Sequence, residues 1–183
     1  MSLAAQRTVR AIPHALTALR ILSAPALPLL ALQGRTTEIA LILGFALASD
    51  IVDGFLARRF GVASDFGAWF DVWADFAVVL AAFVGFALVQ AVSWWLPALI
   101  VLSFVVFVAT AHLNGTIYDP VGRAIGALLM IGGFSICIAP DLLVVDAVAL
   151  TAIGALSITI ANRTVWGFSG ATGKRAPGRA EKG

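Results

Sequence analysis

Four aspartates stand at helical spacing within otherwise apolar sequence: Asp50 and Asp53, three residues apart, and Asp71 and Asp75, four apart. On an α-helix either spacing puts both carboxylates on one face. Converging carboxylates repel one another, and at membrane depth each is costly unless paired. The cations nearest in sequence are Arg58 and Arg59. Bound divalent metal resolves the conflict. All-oxygen donors suit hard cations such as Mg²⁺ or Mn²⁺, and the absence of histidine and thiolate from the cluster argues against zinc. Carboxylates shared between sites could hold two ions, the arrangement used for in-line displacement at phosphorus. The small residues fit the same chemistry. Gly54 and Ala57 let a ligand approach the backbone, Arg58 offers a fork of donors to a phosphate, and Gly67 is small where two helices must turn.

These residues must be held by helices in lipid. The chain of 183 residues is 61% hydrophobic and 12% charged, with a mean hydropathy of +0.99. A soluble domain of this size has no interior large enough to hide so much apolar side chain. The apolar runs are continuous rather than alternating, which argues against a β-barrel. The expected fold is all-α and polytopic, with six transmembrane helices near Ile12–Leu32, Thr37–Ala57, Gly67–Val89, Trp94–Ala111, Gly122–Ala139 and Leu142–Ala161. Each is close to the ~20 residues needed to cross. The first run contains Arg20 and lacks a small-residue cleavage site behind it, so it is expected to be retained. Residues 1–11 carry Arg7 and Arg10 and read either as an interfacial helix or as an irregular terminus. The domain organisation is one membrane domain over 1–168 and a basic, disordered tail over 169–183. Cys137 is the single cysteine, so no intrachain disulfide is possible.

Basic residues set the expected orientation. Arg7, Arg10, Arg58, Arg59, Arg123, Arg163, Lys174, Arg175, Arg179 and Lys182 fall on one side, and only Arg35 on the other. That places both termini, and the aspartates at the mouth of spans two and three, in the cytoplasm. A site there can take a water-soluble nucleotide from one side and a lipid from the other.

The joint pattern is D-x-x-D-G-x-x-A-R, eight residues, then G-x-x-x-D-x-x-x-D, met by Asp50, Asp53, Gly54, Ala57, Arg58, Gly67, Asp71 and Asp75. It resembles the signature of the CDP-alcohol phosphotransferase family of integral membrane enzymes, and the six-span reading matches that family's architecture. The resemblance implies transfer of a substituted phosphate from a CDP-alcohol, in bacterial members mostly CDP-diacylglycerol, to an acceptor alcohol with release of CMP. It implies two divalent cations, Mg²⁺ or Mn²⁺. Asp50 and Asp71 would bridge them, Asp53 would complete one site, and Asp75 the other. Asp75 would also be the general base. Gly54, Ala57, Arg58 and Gly67 would line the CDP pocket, with Ser64 adding a hydroxyl. Thr17 would sit near the nucleotide and Arg20 near phosphate, while His14 replaces the family's usual Asn. The family also implies a homodimer in the bacterial cytoplasmic membrane, with lipid and no nucleic acid as partner. The Gly122/Gly126 and Gly132/Gly133 faces are candidates for helix packing.

The acceptor stays open. Phosphatidylglycerophosphate synthases of this family usually read D-P-x-A-D-K around the last two aspartates and carry an Arg-Glu pair in the fourth span. This chain reads Asp71-Val72-Trp73-Ala74-Asp75-Phe76, and Phe104 to His112 holds no such pair. Arg20 and Arg123 could supply cations for glycerol 3-phosphate, and an uncharged alcohol has equal standing. Two other classes remain. A cation transporter would need acidic residues through the membrane, but Asp141 and Asp146 lie near the opposite side. An inactive scaffold would show an eroded signature.

Overall fold

A computed structural model describes residues 15–60, 65–114 and 120–167. Within them the side chains of 51, 53–60, 65–66, 68, 113–114, 120 and 166–167 lie outside the description. The described elements are helices: α1 (residues 15–23), α2 (Ala26–Leu32), α3 (Thr36–Phe60), α4 (Asp65–Leu88), α5 (Trp95–Asn114), α6 (Pro120–Ile138) and α7 (Leu142–Asn162), continued by a wider π turn over Arg163–Gly167. The expected all-α membrane fold is therefore observed. Among the described residues, five stretches are long and apolar enough to cross a membrane: Ala15–Leu32, Trp69–Leu88, Trp95–His112, Val121–Ile138 and Leu142–Val165. α3, with 25 residues, is about 37 Å long at 1.5 Å per residue. The proposed terminal helix over 1–11 and the tail over 169–183 lie outside the described residues.

The first span departs from the sequence reading. It is not one continuous helix but α1 and α2, separated by a turn at Ala24-Pro25. The cause is covalent. Pro25 and Pro28 have no N–H, so the carbonyls of Ile21 and Ala24 lose their α-helical donors. Each is satisfied one residue early: Ala24 N–H donates to Ile21 O at 3.3 Å and Leu27 N–H to Ala24 O at 3.1 Å. Three-residue bonds of this kind tighten and redirect the chain.

Two tight turns end their helices in the same way. After α2, Gly34 adopts φ +69°, with Arg35 N–H bonded to Leu30 O (2.9 Å) and Gly34 N–H to Ala31 O (3.0 Å). This is the left-handed cap that glycine favours. After α4 the same pair of bonds runs from Ala91 to Phe86 O (2.9 Å) and from Gln90 to Ala87 O (3.0 Å). Here the left-handed residue is Gln90, at φ +58°, where a Cβ is unfavourable.

Helix contacts in lipid rest on close packing, because surrounding tails are as apolar as the side chains themselves. α2 packs on α4, α3 on α6, and α5 and α6 on α7. A Cβ on Gly85 of α4 would stand 3.0 Å from Ala31 Cβ and 3.1 Å from Pro28 Cα, so α2 and α4 touch backbone to backbone. Gly132 and Gly133 are likewise occupied within the chain, against Val148 of α7 and Leu43 of α3. The buried core centres on Leu27, Leu43, Val78, Phe83 and Phe86. Leucines such as Leu22, Leu41, Leu142 and Leu150 remain exposed, the surface of a protein solvated by lipid. Trp94 and Trp95, beside the α4–α5 turn, are exposed where interfacial aromatics belong.

Gln90 is exposed, so Gln90→Gly removes the backbone penalty without deleting a packed side chain. The variant is expected to be more stable by about 0.5–1 kcal/mol in denaturant unfolding of the detergent-solubilised protein. A loss of stability would mean that this cap does not form.

Candidate active site

α4 has two working faces. Asp71 and Asp75, one turn apart, face α1. Trp69, Trp73 and Phe76 face α5. Opposite the acidic face, α1 presents Thr17 and Arg20, three residues apart and both almost fully buried. The spacings match across the interface. Thr17 Oγ1 donates to Asp71 Oδ1 at 2.6 Å, and Arg20 Nη1 donates to Asp75 Oδ1 at 2.6 Å. Asp75 keeps 26% of its side chain exposed, so this carboxylate meets both a buried cation and an opening. Charge-assisted bonds of this length are among the strongest available to side chains. The guanidinium gives Asp75 the opposite charge it needs at membrane depth.

Among the described residues the cation beside the aspartates is Arg20; the side chains of Arg58 and Arg59, the cations nearest in sequence, lie outside the description. Thr17 and Arg20, expected near nucleotide and phosphate, lie on the carboxylates themselves. Asp50 of α3 is half-buried, and its charge acts on Asp75 from the neighbouring helix, as that of Asp71 does from one turn away on α4. Asp53, Gly54, Ala57 and Arg58 follow in the last turns of α3, but their side chains lie outside the described residues, as do Ser64 and His14. Gly67 is half-buried in the first turn of α4. Among the described residues no three acidic, histidine or cysteine side chains are gathered tightly enough to hold an ion. The donors nonetheless have the right chemistry. Asp50, Asp71 and Asp75 supply only oxygen, and Asp71 and Asp75 each have a second carboxylate oxygen besides the one held by α1.

The sequence reading missed the aromatic face. Phe76 stacks on Phe104 at 3.8 Å with planes 10° apart, and Trp73 meets Phe104 edge-on at 4.7 Å. Trp69 and Phe107 lie 6.0 Å apart. Phe107 in turn carries Arg163 at 4.9 Å from its ring centre. Arg163 also donates to Thr110 Oγ1 at 3.4 Å. The i, i+4, i+7 spacing of Trp69, Trp73 and Phe76 was the available signal. Arg123 and His112 are exposed.

A family profile described as CDP-alcohol phosphatidyltransferase matches residues 10–161, which takes in α1, both aspartate pairs and every later span. The chain belongs to the CDP-alcohol phosphatidyltransferase family. Among curated relatives, a protein of Mycobacterium tuberculosis (strain CDC 1551 / Oshkosh) named probable phosphatidylglycerophosphate synthase is 37% identical over 59 residues, 32% of this chain and 28% of that protein. One of Yersinia pestis (strain Pestoides F), named CDP-diacylglycerol–glycerol-3-phosphate 3-phosphatidyltransferase, is 48% identical over 61 residues, 32% of this chain and 33% of that protein. The chain thus spans about a third of the length of the curated relatives it matches. No solved structure matches it. For a phosphatidyltransferase family member, the acidic face of α4 and its partners on α1 are the parts to test first.

Thr17→Val keeps the shape of a fully buried side chain and deletes its one donor. A hydrogen bond to a charged group contributes about 1.5–3 kcal/mol, so Thr17→Val is expected to lower stability by about 2 kcal/mol, and Thr17→Ser by less. Chemical unfolding of the metal-free protein in micelles measures both. Equal stability of Thr17→Val and the parent would contradict the contact with Asp71.

Proposed function

We propose that this chain is a metal-dependent membrane transferase that moves a phosphatidyl group from CDP-diacylglycerol to the hydroxyl of an acceptor alcohol and releases CMP. One observation carries the reading: in a chain of this family the α4 carboxylates Asp71 and Asp75 meet the buried Thr17 and Arg20 of α1, with Asp50 of α3 near enough for its charge to act on Asp75. Asp50, Asp53, Asp71 and Asp75 would hold Mg²⁺ or Mn²⁺, two ions in all. Bound there, the cations would offset the charge of the diphosphate and of the departing CMP.

The protein's own groups then have definite tasks. Asp75 takes the proton of the acceptor hydroxyl as its oxygen attacks the phosphorus attached to diacylglycerol. A bond forms from the acceptor oxygen to that phosphorus, and the phosphorus–oxygen bond to CMP breaks. Gly54, Ala57, Arg58, Ser64 and Gly67 would line the CDP pocket, with Thr17 at its α1 edge. Transfer of this kind rests on positioning and electrostatics more than on covalent help.

The names of the relatives point to glycerol 3-phosphate as acceptor. Phe76 favours a second reading. It stands where phosphatidylglycerophosphate synthases usually have lysine, and its ring is committed to Phe104. An uncharged alcohol would not need that cation. The active site is proposed to face the cytoplasm, as the basic loops indicate, and the protein to act as a homodimer.

CMP release by the purified protein in lipid nanodiscs tests the reading. CDP-diacylglycerol and Mg²⁺ or Mn²⁺ are supplied with glycerol 3-phosphate, glycerol, inositol or serine as acceptor. Release is expected with one acceptor, abolished by EDTA and restored by added metal. Asp75→Asn is expected to lower it by at least ~100-fold, the span of a general base. Undiminished release in Asp75→Asn would remove Asp75 from the chemistry, and folded protein that binds no CDP-diacylglycerol would refute the transferase.

A further inference from the structure

The two contacts between α1 and α4 raise a question of charge. Arg20 and a divalent cation carry charge of the same sign, and both are drawn to Asp75. Arg20 is 1% exposed, so water screens little of the repulsion between them. Thr17 presents the same problem in weaker form, because its hydroxyl proton occupies Asp71 Oδ1. Both groups sit on α1, described over residues 15–23 and joined to α2 through the proline turn at 24–25. α2 is anchored by its backbone approach to Gly85, whereas the turn leaves α1 without a continuous helical ladder to that anchor.

We propose that Thr17 and Arg20 are positioning residues that act as an internal, removable counter-charge: they hold Asp71 and Asp75 while the site is metal-free and are displaced by an arriving divalent cation, with the Ala24-Pro25 turn as the hinge. This rests on the metal-dependent reading above. It explains how a carboxylate cluster survives at membrane depth before metal arrives. It also explains why a buried arginine lies on an aspartate assigned to a metal.

Mn²⁺ alone is the probe, read by the loss of its free six-line paramagnetic resonance signal on binding to protein in nanodiscs. Arg20→Gln removes the competing charge and is expected to bind Mn²⁺ about tenfold more tightly than the parent. Arg20→Lys keeps the charge and is expected to stay near the parent. Thr17→Val removes a neutral competitor and is expected to tighten binding by less than Arg20→Gln. A second readout is thermal: saturating Mn²⁺ should raise the melting temperature of Arg20→Gln more than that of the parent, because the metal then replaces the charge that Arg20 supplied. If Arg20→Gln folds only when Mn²⁺ is present, that rescue supports the proposal as well. Equal or weaker Mn²⁺ binding by Arg20→Gln, or misfolding that Mn²⁺ does not rescue, would overturn it and assign Arg20 a purely structural role. Failure of the parent and all variants to bind Mn²⁺ would overturn both this proposal and the metal-dependent reading.

Discussion

A carboxylate in a membrane-spanning helix has to be compensated, and this constraint organises the molecule. Water cannot solvate it there, and three neighbouring carboxylates make the cost steeper. The described structure meets the requirement on α4 with two bonds from one helix, Thr17 to Asp71 and Arg20 to Asp75. Much else follows from holding α1 against that face. The first span is interrupted between the helix that serves the site and the one that packs against Gly85. Pro25 and Pro28 provide the bend by removing two donors. The other side of α4 must then be made rigid, and the stacked Phe76–Phe104 pair with Trp73 fixes it to α5.

Small residues complete this arrangement for a reason peculiar to lipid. With no difference in polarity between a leucine and its surroundings, helices gain by approaching closely. Gly85, Gly132 and Gly133 are where the approach is closest, to α2, α7 and α3 respectively. The site is therefore carried on a packed frame of α2, α3, α4, α6 and α7, with α1 attached to it through the turn at Ala24-Pro25.

Much of this was legible in the residues. Continuous apolar runs of about 20 residues mark the spans, and the observed helices fall within a few residues of the expected ones. The two aspartate pairs announce themselves because charge is rare in such sequence. The partners of those aspartates were not legible in the same way. Thr17-x-x-Arg20 lies some fifty residues away, and only folding brings its spacing opposite Asp71 and Asp75. The bend at Pro25 was written in the sequence, yet hydropathy treats proline as one more apolar residue and passes over it. The turn after α4 falls between two expected spans, but its left-handed cap was hidden because Gln90 rather than glycine occupies it. Phe76 read as a missing lysine; its stacking partner, Phe104, sits on a different helix. For Asp53, Gly54, Ala57, Arg58 and Ser64 the sequence pattern remains the basis for their assignment.

The Arg20–Asp75 pair is the point on which the account rests, and a double-mutant cycle measures it directly. Arg20→Gln, Asp75→Asn and the double variant would be unfolded in the same metal-free micelles. Breaking one side of a buried pair leaves an uncompensated charge, whereas removing both does not. The expected coupling between the two sites is about 2–3 kcal/mol, with the double variant more stable than the sum of the single losses. Losses that add to within about 0.5 kcal/mol, as independent positions do, would contradict the pairing and with it the compensation of Asp75 by α1.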